Sequence, residues 1–317
     1  MPANLPPQYY QIESKYREAK SIPEKISLLK EMLAIMPKHK GTDKLQAELR
    51  AKISKLQKTL EKKPAVKRQS SPYFIPKEGA GQIIMVGYPN VGKSLLLTSL
   101  TRASSPSTNY PFSTLKPVVG MMPFEDIQFQ LIDTPSLSPD FMDKGLPIMV
   151  RNSDLVLLVV DGGNDEVLEE VEGVREKLRE KNIVLGGKEG KKTLIVVNKM
   201  DKEGAKERAS IVEELYGEEY SVIRISALRK EWNNLGRRIF DALELIRVYT
   251  KAPGAPPSRQ EPIILKKGSR VIDAAVAIHK DFANMKYARL WDDYNFQGLR
   301  VEREYPLKDG DILEFHL

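Results

Sequence analysis

Eight residues, Gly87-Tyr-Pro-Asn-Val-Gly-Lys-Ser94, place two glycines, a lysine and a hydroxyl at the spacing that wraps backbone around phosphate. The glycines let successive N–H groups converge on an anion, and a helix beginning at SLLLTSL would add its positive N-terminal end. The predicted phosphate-binding residues are therefore Gly87, Tyr88, Pro89, Asn90, Val91, Gly92, Lys93 and Ser94. Lys93 would reach the β- and γ-phosphates and Ser94 would ligate magnesium. A glycine turn that only joins strand to helix is the structural alternative.

A second group, Asn198-Lys-Met-Asp201, follows the apolar run TLIVV. The Asp201 carboxylate could accept hydrogen bonds from both the ring N–H and the exocyclic amine of guanine. Adenine cannot supply that pair, and a site left with unpaired buried groups rejects the wrong base strongly. Asn198 would brace the phosphate loop, and the aliphatic stem of Lys199 would lie on the base. Ser226, Ala227 and Leu228 end a further strand-like run and would offer backbone N–H groups to the guanine oxygen. One NKxD is a weak signal, but in the order GxxxxGKS, DTP, NKxD, SAL it points to GTP and GDP as ligands.

The elements that must hold these residues read as α/β. QIIMVG, FQLID, LVLLVVD, TLIVVNK and SVIRISA are short, continuously apolar runs separated by helical stretches. Buried parallel strands look like this because helices cover both faces of the sheet. The predicted boundaries are a helical hairpin over 1–64, a linker over 65–79 and a mostly parallel, doubly wound nucleotide domain over 80–250. A helix from Trp232 to Val248 would close that domain. A linker over 251–260 and a small β-rich block over 261–317, with a helix near Val271 to His279, complete the chain. In the hairpin, Ser21 to Glu24 fits a capping box, with Ile26, Leu29, Leu33 and Met36 on one stripe and Leu45, Leu49, Ile53, Leu56 and Leu60 on a second.

Composition limits the remaining chemistry. The 317 residues contain no cysteine and three histidines, which removes thiolate chemistry and leaves a histidine metal site without support. The longest clean apolar run, Leu155 to Val160, is far shorter than a bilayer span, and MPANLPPQYY lacks the basic start of a leader. A cytoplasmic protein with no membrane partner is expected. The net charge of +7 is concentrated: residues 38–69 carry eleven Lys or Arg against three acids, a net +8 that leaves the remainder at −1. A basic segment on a near-neutral body suggests a polyanionic partner such as RNA, with a solvated helix face as the bland alternative.

Together, GYPNVGKS, YPFSTL at Tyr110 to Leu115, DTPSL at Asp133 to Leu137, NKMD and SAL resemble the Obg/Drg group of translation-factor-class GTPases. KKGSRVIDAAVAIHKDF and the closing KDGDILEFHL resemble a TGS domain, a small ubiquitin-like β-grasp unit, and the basic front helices resemble the start of Drg proteins. Two departures stand out: the stretch from Asp133 to Asn198 is too short for the domain that Drg proteins insert, and the Obg glycine-rich N-terminal domain is absent. The resemblance implies that Thr114 and Asp133 join Ser94 at magnesium. It implies that Asn90 helps hold a potassium ion, and that the basic helices and the TGS-like block contact RNA or the ribosome.

The segment LIDTPSLS puts Ser136 where such switches carry glycine, and Leu137 where a Ras-like switch carries a water-positioning glutamine. Leucine cannot orient a nucleophile, so backbone groups, another residue or an activating protein must do so. A Cβ at position 136 restricts the peptide movement that presents an N–H to the γ-phosphate, unless the local backbone suits serine. The predicted catalytic group is Lys93, Thr114, Asn90 and Ser136. The expected function is slow, potassium-stimulated GTP hydrolysis by a nucleotide-controlled, RNA- or ribosome-associated switch. The alternative is a GTP-gated binding module with little or no hydrolysis of its own.

Overall fold

The computed structural model describes residues 6–19, 22–37, 42–61, 73–101, 117–256, 258–291 and 298–316. The chain divides into two compact units, Met1–Ser71 and Pro72–Leu317. Among the described residues, no helix is long and apolar enough to cross a membrane.

The first unit holds α1 (Pro7–Glu18), α2 (Ile22–Ile35) and α3 (Asp43–Glu61). The two-helix expectation is thus corrected to three. Tyr9 and Ile12 of α1 are buried with Ile26, Leu29 and Met32 of α2 and Leu49 and Ile53 of α3. The first helix escaped notice because tyrosines supply much of its apolar face. Its start needs no side-chain cap, since Pro7 fixes the backbone of the first turn and has no N–H to satisfy. Thr42 Oγ1 donates to the Pro37 carbonyl at 2.6 Å and ties the start of α3 to the end of α2. Lys44, Arg50, Lys52 and Lys55 of α3 are exposed. Ser21 of the expected capping box lies outside the described residues.

The second unit opens with a six-stranded sheet in the order β2-β3-β1-β4-β5-β6. Its elements are β1 (Gln82–Val86), α4 (Lys93–Leu100), β2 (Val118–Phe124), β3 (Ile127–Asp133), α5 (Leu146–Asn152) and β4 (Leu155–Asp161). They continue with α6 (Val167–Arg179), β5 (Thr193–Asn198), α7 (Ala205–Tyr216), β6 (Ser221–Arg224) and α8 (Leu235–Ala242). All pairs are parallel except β2 with β3. Successive residues on each strand feed opposite cores, as the period of two in a strand requires. Ile84, Val86, Val156, Leu158, Ile195 and Val197 pack with α5, α6 and α7. Ile83, Met85, Leu155, Leu157, Leu194 and Val196 pack with α4 and α8. Because β1 lies between β3 and β4, the connections leaving it diverge, and a crevice opens beyond its carboxyl end.

Two expectations about boundaries need correction. Residues 73–79 belong to no free linker: Ile75 is 5% exposed in the core beside α5, and its carbonyl accepts from Gln82 Nε2 at 3.0 Å. Its extended backbone has no helical or strand periodicity to reveal it. The predicted helix to Val248 stops at Ala242, and β7 (Leu245–Thr250) begins a second sheet. Glu244, at φ 53°, turns the chain out of the helix. The apolar run around Leu245 to Val248 was short enough to fit either helix or strand.

The second sheet is ordered β10-β9-β11-β7-β8. It adds β8 (Ser258–Lys266), α9 (Val271–Ile278), β9 (Tyr287–Trp291), β10 (Leu299–Val301) and β11 (Ile312–His316), and Val271, Ala274 and Ala275 of α9 pack on its core. The predicted linker over 251–260 is accordingly corrected: residues 251–256 follow β7 on the way to its antiparallel partner β8, which already includes 258–260, so the segment is not a linker between domains. Arg247 joins the two sheets. Its Nη2 donates to Asp309 Oδ2 at 2.8 Å and its Nη1 to Asp126 Oδ1 at 2.9 Å in the β2–β3 turn. A planar guanidinium suits such divided carboxylate contacts.

Candidate functional site

Among the described residues, those singled out from sequence lie about the carboxyl ends of β1, β3, β4 and β5 and the loops that leave them. The loop after β1 turns through Asn90 at φ 63° and Gly92 at φ 97° before α4 begins at Lys93. Gly92 is required by space as well as conformation, since a Cβ there would meet Asn198 Nδ2 at 2.4 Å. Lys93 is 5% exposed. Its ammonium donates to the Gly87 and Tyr88 carbonyls and to Ser136 Oγ, each at 3.0 Å. Burial pushes the Lys93 pKa below its ordinary value, while the nearby Asp133 acts in the opposite direction. The side chain of Tyr88 turns away, toward α6, where the missing side chain of Gly173 leaves room for its hydroxyl. Pro89 and Asn90 are exposed at the loop crest and Val91 is buried.

Ser94 Oγ donates to Asp133 Oδ2 at 2.5 Å. The other oxygen, Asp133 Oδ1, is buried and has no hydrogen-bond partner. Burial raises the Asp133 pKa, with Ser94 and Lys93 partly offsetting it. A buried carboxylate oxygen without a donor calls for a cation or a cation-bound water, so the donor set fits magnesium. Magnesium keeps several waters and takes oxygens from phosphate, which is consistent with so few protein ligands. Thr114, the remaining predicted ligand, lies outside the described residues, as does the rest of Tyr110 to Leu115.

Opposite the phosphate loop is a cavity of about 220 Å³ lined by Gly92, Leu95, Asn198, Lys199, Asp201, Lys202 and Leu228. Asn198 is 1% exposed. Its Nδ2 donates to the Val91 carbonyl at 2.8 Å and its Oδ1 accepts from the Ala227 N–H at 3.0 Å. One amide therefore fixes the phosphate loop to the base-facing loop. Ser226 Oγ accepts from the Arg229 N–H at 3.1 Å and donates to Asp201 Oδ1 at 2.5 Å. That donated bond, more than the smaller effects of its surroundings, holds the Asp201 pKa below the usual carboxylate value.

Sequence reasoning missed two contributors. Asp161 at the end of β4 stands in register with Asn198, and its Oδ2 accepts from Lys199 Nζ at 2.5 Å. This pins the lysine whose stem borders the cavity. The available signal was an acid closing the apolar strand LVLLVVD. Leu95 is 46% exposed and Leu228 is 70% exposed, so two apolar side chains stand open at the cavity rim, where a flat base could lie between them. In SLLLTSL, Leu96 and Leu97 are buried in the core and Leu100 packs against it, which leaves Leu95 as the unexplained leucine.

Residues 82–199 match the family profile described as a 50S ribosome-binding GTPase, and residues 246–317 match that of the TGS domain. Over 362 aligned positions the chain is 27% identical to an uncharacterised GTP-binding protein of Methanocaldococcus jannaschii, with 92% of each covered. It is 26% identical to developmentally-regulated G-protein 2 of Arabidopsis thaliana, over 92% of this chain and 90% of the relative. The chain is a distant homologue of the Drg proteins. Against developmentally-regulated GTP-binding protein 2 of Homo sapiens, identity is 23% over 92% of this chain and 98% of the relative. Among solved structures, the FeoB G domain of Methanococcus jannaschii aligns with 51% of this chain and 97% of its own at 23% identity and a TM-score of 0.37.

This Drg homologue is a GTP-binding protein, and membership of a P-loop GTPase family implies magnesium-bound GTP. The alignment with the archaeal relative exceeds the 317 residues of this chain, so it contains positions without a counterpart here. Between β3 and β5 the structure holds only α5, β4, α6 and a short connection, with no inserted domain.

The Ser226–Asp201 bond yields a pH prediction. An Asp201 that reads guanine would have to be ionised, and its pKa is depressed, so GDP affinity should be held at neutral pH and lost only as pH falls through that low value. Ser226→Ala should shift this acid limb upward toward the ordinary Asp pKa, measured as GDP affinity by titration calorimetry from pH 7 downward. An unshifted limb would mean that the Ser226 bond does not set the acid limit of GDP binding.

Proposed function

We propose that this chain is a slow GTP hydrolase whose nucleotide state governs its docking on RNA, most directly that of the ribosome. The observation that carries the hydrolase reading is the convergence of Lys93, Ser94 and Asp133, with one Asp133 oxygen buried and unpartnered. Lys93 would place positive charge against the β- and γ-phosphates, and Ser94 and Asp133 would hold magnesium, with Thr114 joining them. Magnesium would neutralise charge that develops on the phosphate oxygens during transfer. Asp201 would select guanine, Asn198 would keep base and phosphate sites in register, and the Ala227 and Leu228 backbone would face the base oxygen.

The slowness follows from Leu137. Its side chain is fully buried in the core shared with α5 and α6, so it places no group on an attacking water. Its backbone N–H donates to the Gly87 carbonyl at 3.2 Å and so serves the phosphate loop instead. Asn90 is exposed at the loop crest in a left-handed conformation. There its amide oxygen would help retain a potassium ion, which would supply the positive charge that an arginine finger provides elsewhere. Ser136 keeps a negative φ, so the conformation seen carries none of the left-handed cost that a Cβ would bring.

The RNA reading rests on the exposed Lys44, Arg50, Lys52 and Lys55 of α3 and on the ribosome-binding description of the matched family. Phosphate contacts of this kind are salt-sensitive and largely sequence-independent. The buried Leu137 also favours a second reading, a GTP-gated binding module that needs a partner before it hydrolyses anything.

Two experiments test these readings. Single-turnover GTP hydrolysis should be faster in potassium chloride than in sodium chloride at equal ionic strength, and absent in Lys93→Ala. Retained tight GTP binding without hydrolysis in either salt would favour the gated module. In filter binding to RNA, replacing Lys44, Lys52 and Lys55 together by alanine should reduce the slope of log affinity against log salt by about two. An unchanged slope would rule out α3 as the RNA contact.

A further inference from the structure

The ammonium of Lys93 has three protons and three acceptors in this structure: the carbonyls of Gly87 and Tyr88 and the hydroxyl of Ser136. The three acceptors are not equivalent. Both carbonyls belong to the phosphate loop, and Gly87 also accepts from the Leu137 N–H. Only the hydroxyl carries a proton of its own, and it rotates freely about one bond.

Ser136 is also held in place from both sides. Thr134 Oγ1 donates to the Met85 carbonyl at 2.7 Å, which ties the preceding residues to the end of β1. Leu137 follows, with its side chain fully buried and its N–H on Gly87. Between these anchors Ser136 is partly exposed, 3.0 Å from the lysine that serves the terminal phosphates. The negative φ at this position shows that the serine sits there without left-handed strain.

We propose that the Ser136 hydroxyl is the group by which this protein distinguishes a guanosine triphosphate from a diphosphate. The inference rests on the GTP-binding reading above and assigns a specificity-determining contact within it. When the triphosphate is bound, Ser136 Oγ accepts from Lys93 and turns its own proton to a γ-phosphate oxygen. The contact is a charge-assisted O–H···O bond in series with the ammonium. A diphosphate ends short of this hydroxyl and gains nothing from it. A switch glycine can offer only a backbone N–H after its peptide has moved. Serine instead offers a side-chain donor that is already beside the lysine, so discrimination here needs less rearrangement of the backbone.

The test compares GDP and the nonhydrolysable analogue GMPPNP, titrated with magnesium into full-length wild type, Ser136→Ala and Ser136→Cys. The proposal expects both variants to lose about tenfold or more in GMPPNP affinity, with GDP affinity changed by less than about twofold. Cysteine preserves the size of the side chain but is a weak donor, so it separates the hydrogen bond from packing. Equal weakening of both nucleotides would make Ser136 a structural support of the loop and overturn the proposal. So would an unchanged GMPPNP to GDP ratio. Failure of the wild type to bind either guanine nucleotide would overturn the GTP-binding reading itself, which the variants alone would not touch.

Discussion

The buried side-chain amide of Asn198 joins two loops that lie 107 and 29 residues from it in sequence. Its nitrogen satisfies the carbonyl of Val91 and its oxygen satisfies the N–H of Ala227, so neither polar group is left unpaired inside the protein. The cost of stranding such groups, about 1–3 kcal/mol each, makes the relative position of the phosphate loop and the base-facing loop a property of the folded core. The two loops are thereby tied to one residue at the end of β5.

The sheet makes that arrangement possible. Its central strands are buried on both faces, so their side chains are committed to two cores and chemistry is confined to the strand ends. Gly87, Asp133, Asp161 and Asn198 occupy those ends on four neighbouring strands or the turns that leave them. Low polarity beneath the site then opposes the charged forms of both Lys93 and Asp133, raising one pKa and lowering the other. Buried opposite charges and an unpaired carboxylate oxygen describe a site whose polar groups are completed by a charged ligand.

Much of this was legible in the sequence because the pocket is built from short motifs whose backbone demands are local. Gly92, Lys93, Ser94, Asn198 and Asp201 could be placed before any coordinates because their spacing already fixes what they can touch. Ser136 and Leu137 were legible as anomalies but not as contacts: whether serine is strained, and whether leucine faces solvent or core, depends on strands far away in sequence. Asp161 was hidden for the same reason, since its pairing with Lys199 exists only through the β4–β5 register. The errors elsewhere arose where periodicity was weak. Leu245 to Val248 is too short to choose between helix and strand, Tyr9 and Tyr16 disguise the apolar face of α1, and Ile75 is a single anchor in an otherwise irregular segment. The departure from Drg proteins between Asp133 and Asn198 was visible by length alone, because a compact helix–strand–helix crossover uses all the residues available.

The most direct test of this account is a competition titration in which GDP and ADP displace a fluorescent guanine nucleotide from the wild type and from Asn198→Ala. Wild-type protein should release the probe to GDP and ignore ADP even in large excess. Asn198→Ala should bind the probe at least about thirtyfold more weakly, as expected from losing both buried hydrogen bonds. Equal displacement by ADP would contradict guanine selection by Asp201, and wild-type affinity in Asn198→Ala would contradict the coupling of the two loops through one buried amide.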